Sequence, residues 1–152
     1  MIEQNESIDF DAKTWVFSPS KTGNRVNMVA SLVVPLASQS IKILEDLKLE
    51  TGHTPYVFYN SRRKDKFEHR QQLNKLLYQI GYKDVHTPHG FRASAITMIQ
   101  ERLKYPKHLP DMQSGHKIKD NNGEAYSRVT FLDERRAMMQ KWADYLDSLK
   151  SF

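Results

Sequence analysis

Apolar and polar residues alternate near the start of the chain and recur at helical spacing through the rest of it. "SIDF" (residues 7–10) and "TWVF" (14–17) alternate on either side of the turn-like "DAK", which predicts a β-hairpin. "SPSKTGN" then supplies turn chemistry, with Gly23 and Asn24 able to take positive φ, and "VNMVASLVVPL" returns as the next β-rich strand. Beyond residue 36 the period lengthens to that of a helix. Ser38 is placed to cap a helix running to about Glu50, with Ile41, Leu44 and Leu47 on one face and Gly52 just past its end. "KFEHRQQLNKLLYQIG" predicts a second helix from Lys66, with Leu73, Leu76, Leu77 and Ile80 inward and Gly81 as its stop. "HGFRASAITMIQERL" predicts a third, and Pro106 and Pro110 predict a break after it. A last helix carries Leu132, Met138, Met139, Trp142, Leu146 and Leu149 at helical spacing. The pattern is an α+β arrangement in one unit: a small antiparallel hairpin sheet over residues 1–36, then a mainly α-helical bundle over 37–152.

Composition narrows the class. A length of 152 residues fits a single domain with a core of its own. With no cysteine, a disulfide framework and a Cys-ligated metal site are excluded. The longest apolar run, "LVVPLA", is far too short to span a bilayer, and the acidic, polar "MIEQNESIDF" is not a signal peptide. The expectation is a soluble intracellular protein with no membrane partner. The net charge of +5 and a pI near 9.4 fit a polyanionic partner such as nucleic acid, and fit equally a surface kept basic for solubility. The densest basic stretch, "SRRKDKFEHR", offers Arg62, Arg63, Lys64, Lys66 and Arg70 as candidate DNA contacts. Asp65 and Glu68 interrupt it, so a solvated loop and helix face is the competing interpretation.

Four further residues could carry chemistry. In "HTPHGFRASA", His89 and Arg92 are three apart at the start of a helix and share a face. A histidine, a guanidinium fork and the free N–H groups of a helix N-terminus together suit a phosphate; a histidine cap beside a surface arginine suits the same residues. His116 follows Gly115 in a polar stretch, where a histidine is usually only solvated. Lys21 stands at the tip of the β-rich segment, either as a solvated charge or as a mobile proton donor above a bound phosphate. His86, His89 and His116 could in principle converge on zinc, but no His-Glu-x-x-His pattern or other common zinc spacing is present, and no metal or cofactor is expected.

The order of these residues is more specific than any one of them. A hairpin lysine is followed by His-x-x-Arg opening a helix, then Gly-His, then Tyr126 ten residues later. Across nearly the whole chain this resembles the tyrosine recombinases, or phage integrases. "HGFRASA" is similar to the family's second-arginine box, "SGH" to its Gly-His box, and "VVPLASQSIKIL" to its strand-to-helix step. "AYSRVTFLDERRAMMQKWADYLDSL" resembles the nucleophile box and closing helix of the prophage and genomic-island integrase subgroup.

The resemblance implies a tyrosine recombinase catalytic-domain fold and a metal-free transesterification. Tyr126 would attack a DNA phosphodiester and form a covalent 3′-phosphotyrosine, with Arg92 and His116 donating to the phosphate, His89 accepting a proton or donating to the phosphate, and Lys21 as general acid for the leaving 5′-oxygen. Double-stranded DNA at attachment sites would be the partner, with a tetramer on DNA in the full-length protein, accessory DNA-bending proteins, and a bacterial cytoplasmic, nucleoid-associated location. The family's first catalytic arginine, its acidic neighbour and its N-terminal DNA-clamping domains have no match here: the first nine residues hold no arginine, and Arg25 does not fit that box. The expectation is therefore a catalytic segment of weak or no activity by itself, with an apolar patch exposed where further helices would pack. A topoisomerase with the same chemistry, a non-catalytic basic DNA-binding module derived from an integrase, and a structural helical protein are the competing classes. The first is disfavoured by the Trp-Ala-Asp-Tyr-Leu ending, the second has no need for the Tyr126, His89, Arg92 and His116 set, and the third leaves their order unexplained.

Overall fold

The structure, a computed structural model, describes residues 8–17, 32–54, 56–60, 63–67, 70–116 and 131–151. Strands β1 (Ile8–Asp9), β2 (Thr14–Phe17) and β3 (Leu32–Pro35) form an antiparallel sheet in the order β1-β2-β3. Ile8 pairs with Trp15, and Trp15 with Val34. The predicted "DAK" turn is present: the Asp9 carboxylate accepts from Ala12 N at 2.8 Å, and Lys13 takes a left-handed φ of 51°. The α+β class expected from the sequence is the one found. The expected turn over 18–24, with Lys21 in it, lies outside the described residues.

Helix α1 (Ser38–Thr51) begins where expected but not by the expected device. Ala37 is the N-cap, and the Ser38 hydroxyl donates to Gln39 Oε1 instead of capping. The orphan N–H of Ser38 is satisfied from across the fold by Gln140 Oε1 at 3.0 Å, so no local side chain is needed. Gln39 Nε2 in turn donates to Asp144 and Asp147, each at 2.9 Å. Hydrogen bonds from Lys150 and then Gln39 hold the Asp147 carboxyl below its ordinary value.

The region between residues 52 and 80 departs from the periodic reading. Strands β4 (Tyr59–Asn60) and β5 (Arg63–Phe67) form a second antiparallel sheet, so the helical part is interrupted by a hairpin. Helix α2 (Arg70–Gln79) therefore starts at Arg70 and not at Lys66, because residues up to Phe67 are committed to strand pairing. Of the four residues expected inward on α2, only Leu77 is buried; Leu73, Leu76 and Ile80 are 48%, 55% and 59% exposed. Helical spacing identifies an apolar face but not what covers it.

Helix α3 (Pro88–Glu101) has a well-determined start. Thr87 caps it, its hydroxyl accepting from Gly90 N, and Pro88 follows at a position where a missing N–H costs nothing. The His86 ring lies over Gly90: a Cβ built at Gly90 would sit 2.9 Å from His86 Cε1. Phe91 packs against the same ring at 4.4 Å between centroids. Pro110 does not break the chain as expected but lies inside helix α4 (His108–Gln113), in the first turn, where backbone N–H groups have no intrahelical acceptor. Helix α4 ends in a Schellman motif. Gly115 N donates to Met112 O, His116 N donates to Asp111 O, and Gly115 takes the φ of 82° that glycine adopts without strain.

Helix α5 (Leu132–Ser148), continued by a 3₁₀ turn over Leu149–Ser151, joins these parts. Met138 is fully buried against Ile99 of α3 and Leu109 of α4, with Leu103, Tyr105, Phe131, Met139 and Trp142 around them. Leu146 and Leu149, at the same helical spacing, are 40% and 45% exposed near the helix end. Arg135 is fully buried too: its Nη1 donates to Val33 O of β3 at 3.0 Å and to Gln113 Oε1 of α4 at 3.2 Å. Burial pulls its pKa below the ordinary arginine value. Arg136 Nη1 donates to Ala12 O at 3.1 Å, bracing the β1–β2 turn.

Two predictions test this packing. Arg135→Ala is expected to destabilise the fold by about 3 kcal/mol or more, because it leaves a cavity and strips acceptors on two elements of their donor; Arg135→Met should cost less. Urea denaturation measures both, and equal stability of all three chains would refute the role given to the guanidinium. Gly90→Ala should lower the melting temperature although alanine is the better helix former. In a His86→Ala background the same change should become stabilising, by about 1 kcal/mol.

Candidate functional site

Two of the predicted site residues are set by the first turns of α3. His89 and Arg92 lie three apart on this helix, both exposed. Thr87, Pro88 and the His86–Gly90 packing fix the entry of the helix, and so the angle at which these side chains leave it. A third, His116, is set by the end of α4. The Schellman turn at Gly115 reverses the chain and holds the His116 backbone on Asp111 O at 3.1 Å.

A cavity of about 100 Å³ connects the two ends. Its lining includes Arg92, Ala95, Ile96 and Ile99 from α3, Pro110, Gln113 and Ser114 from α4 and its cap, and Met139 and Trp142 from α5. The wall is mostly apolar, with Arg92, Gln113 and Ser114 as its polar members. Ser114 is also the neighbour of His116: their Oγ and Nδ1 are 3.1 Å apart, and Ser114 Oγ donates to Asp111 O at 2.8 Å. Asp111 lies 4.0 Å from His116 Nδ1 and is paired with Lys107. The fold thus brings Arg92 and Ser114 to one cavity, although more than twenty residues separate them in the chain. Neither His89, on the same helix as Arg92, nor His116, beside Ser114, is in the cavity lining.

Chemically, the guanidinium of Arg92 is a fork of donors with no acceptor, suited to two oxygens of a phosphate or carboxylate. The two histidines can donate or accept. Among the described residues no three His, Asp or Glu side chains gather to hold a metal, so His86, His89 and His116 do not converge there. No helix among them is long and apolar enough to cross a membrane.

The remaining predicted residues divide in two. Tyr126, Lys21 and Arg62 lie outside the described residues. Arg63, Lys64 and Lys66 fall on β5 and Arg70 is the first residue of α2, so the described part of the basic stretch lies on a strand and at a helix start. Sequence reasoning passed over Ser114, Asp111 and Arg135. For Ser114 a signal existed: a glycine at a helix C-terminus followed by a histidine predicts the Schellman turn, and hence that residues at the helix end will face that histidine. Nothing local marks Arg135 as buried.

Comparison with known proteins gives a consistent identity. The prophage integrase IntZ of Escherichia coli is 36% identical over 117 residues, covering 77% of this chain and 29% of that protein. The prophage integrase IntA of Escherichia coli is 30% identical over 146 residues, covering 96% and 34%, and the integrase of Shigella phage Sf6 is 30% identical over 146 residues, covering 95% and 36%. The chain therefore spans about a third of the length of these relatives. No family profile and no solved structure matches it. On the strength of these relatives, the chain belongs to the phage integrase family.

Proposed function

We propose that this chain is a catalytic segment of a site-specific DNA recombinase that cleaves and rejoins DNA in prophage or genomic-island integration and excision. The observation that carries this reading is that Arg92, at the start of α3, and Ser114, at the end of α4 and 3.1 Å from His116 Nδ1, line one cavity. Relatives named as integrases support it.

In this reading the Tyr126 oxygen attacks a DNA phosphorus as the bond from phosphorus to the 5′-oxygen breaks. The product is a 3′-phosphotyrosine and a free 5′-hydroxyl, and attack by a second 5′-hydroxyl reverses the step. The phosphodiester energy is kept in the protein–DNA bond, so no ATP is consumed. A phenol is mostly protonated at neutral pH, with an ordinary pKa of about 10, so its proton must leave as attack proceeds; His89 is assigned that acceptor role. Negative charge grows on the non-bridging oxygens, where Arg92 and His116 donate, and preorganised donors of this kind contribute most of the rate gain. Lys21 returns a proton to the leaving 5′-oxygen. Arg62, Arg63, Lys64, Lys66 and Arg70 contribute backbone contacts to double-stranded DNA, which position the protein without reading sequence.

Three outcomes are expected. On nicked DNA, which traps the intermediate by losing the short 5′-hydroxyl strand, a complete integrase carrying this segment forms a covalent protein–DNA band, and the 152-residue segment alone forms little or none. Tyr126→Phe removes the band, and Arg92→Ala lowers its rate of formation about 10²–10³-fold. A band that survives Tyr126→Phe overturns the nucleophile. DNA affinity should fall linearly with salt on a log–log plot, with a slope of about −0.9 per phosphate neutralised. A flat dependence would remove the electrostatic basis of DNA binding.

A further inference from the structure

The Ser114 hydroxyl has one proton to give, and two neighbours within hydrogen-bond distance. One is Asp111 O at 2.8 Å, a backbone carbonyl that can only accept. The other is His116 Nδ1 at 3.1 Å, which can accept or donate according to the tautomer of the ring. If both contacts are made, the hydroxyl proton goes to the carbonyl and the serine oxygen must accept from Nδ1. The Asp111 carboxylate, 4.0 Å from the same nitrogen, favours a proton there as well. Asp111 is itself held by Lys107 one turn earlier, and the Schellman turn fixes the His116 backbone to Asp111 O.

We propose that Ser114 is a positioning residue that fixes His116 as its Nδ1–H tautomer and so leaves Nε2 as the free, reactive nitrogen of the ring. In its neutral form His116 then offers only an acceptor at Nε2, and it donates there only after taking up a second proton. Arg92 donates in every state, so the two residues are not interchangeable: Arg92 is a fixed donor, and His116 is the group whose role changes with its proton. The bearing of this on DNA cleavage rests on the recombinase reading; the tautomer itself does not.

The test is long-range ¹H–¹⁵N correlation NMR on the histidine-labelled chain, at a pH above the ordinary histidine range, where the ring is neutral. The expected spectrum shows His116 with a protonated Nδ1 and a bare Nε2. Ser114→Ala should move the ring toward the Nε2–H form, and Ser114→Thr, which keeps the hydroxyl, should retain the original pattern. An Nε2–H ring in the unsubstituted chain overturns the proposal, as does a ring indifferent to Ser114→Ala in a folded chain. If Ser114→Ala does not fold, the unsubstituted and threonine spectra still decide. In a complete integrase at the same pH, the Nδ1–H tautomer cannot donate to the phosphate from Nε2, so Ser114→Ala, which admits the Nε2–H form, should raise the single-turnover cleavage rate relative to the unsubstituted enzyme. The expected tautomers with no covalent adduct from any variant would leave the Ser114 assignment standing and refute the recombinase reading. An adduct accompanied by the Nε2–H tautomer would do the reverse.

Discussion

A fully buried guanidinium ties this fold together. Arg135 is positioned by α5, its charge is taken out of water, and it is tolerated because carbonyl and amide oxygens from other elements receive its N–H groups. Those oxygens belong to Val33 of β3 and Gln113 of α4, so one side chain sets the distance between the sheet, α4 and α5. Gln113 also reaches Pro35 O at 3.4 Å and lines the cavity shared with Arg92 and Ser114. The position of the candidate site relative to the sheet therefore depends on a residue that is not itself in the cavity lining.

Around that tie, α5 makes its other attachments with polar groups as well. Arg136 holds the β1–β2 turn, and Gln140 supplies the acceptor that α1 lacks at its own N-terminus. The apolar face of the same helix, through Met138, Met139 and Trp142, covers α3 and α4. Apolar contact is non-directional and holds elements together; hydrogen bonds between fixed donors and acceptors set how they are oriented. This division holds Arg92, from one helix start, and Ser114, from another helix end, at a common cavity.

Much of this was legible in the chain, for local reasons. The β1–β2 turn follows from alternation around "DAK", α3 from the stretch "HGFRASAITMIQERL", and α5 from apolar residues at helical spacing. His89, Arg92 and His116 could be nominated because their order and spacing are written in the chain. Other features were not legible because they depend on distant partners. Ser38 looked like a cap until Gln140 replaced it, and Lys66 looked helical until strand pairing with β4 claimed residues up to Phe67. Leu73, Leu76 and Ile80 have the spacing of a buried face and are exposed, since periodicity records amphipathicity and not what lies opposite. Pro110 looked like a break and stands instead in the one turn of a helix that tolerates it.

By itself, then, the sequence determined the class of fold, the order of its main elements and the identity of the groups available for chemistry, because each of these is a matter of neighbours along the chain. The tertiary structure alone decided that Arg135 is interior, that Arg92 and Ser114 face one cavity, and that the Ser114 hydroxyl stands between a carbonyl and an imidazole. These are long-range or geometric facts. Whether a polar side chain is solvated, buried or positioned to orient another depends on which donors and acceptors reach it, and chain folding brings those together from positions more than a hundred residues apart.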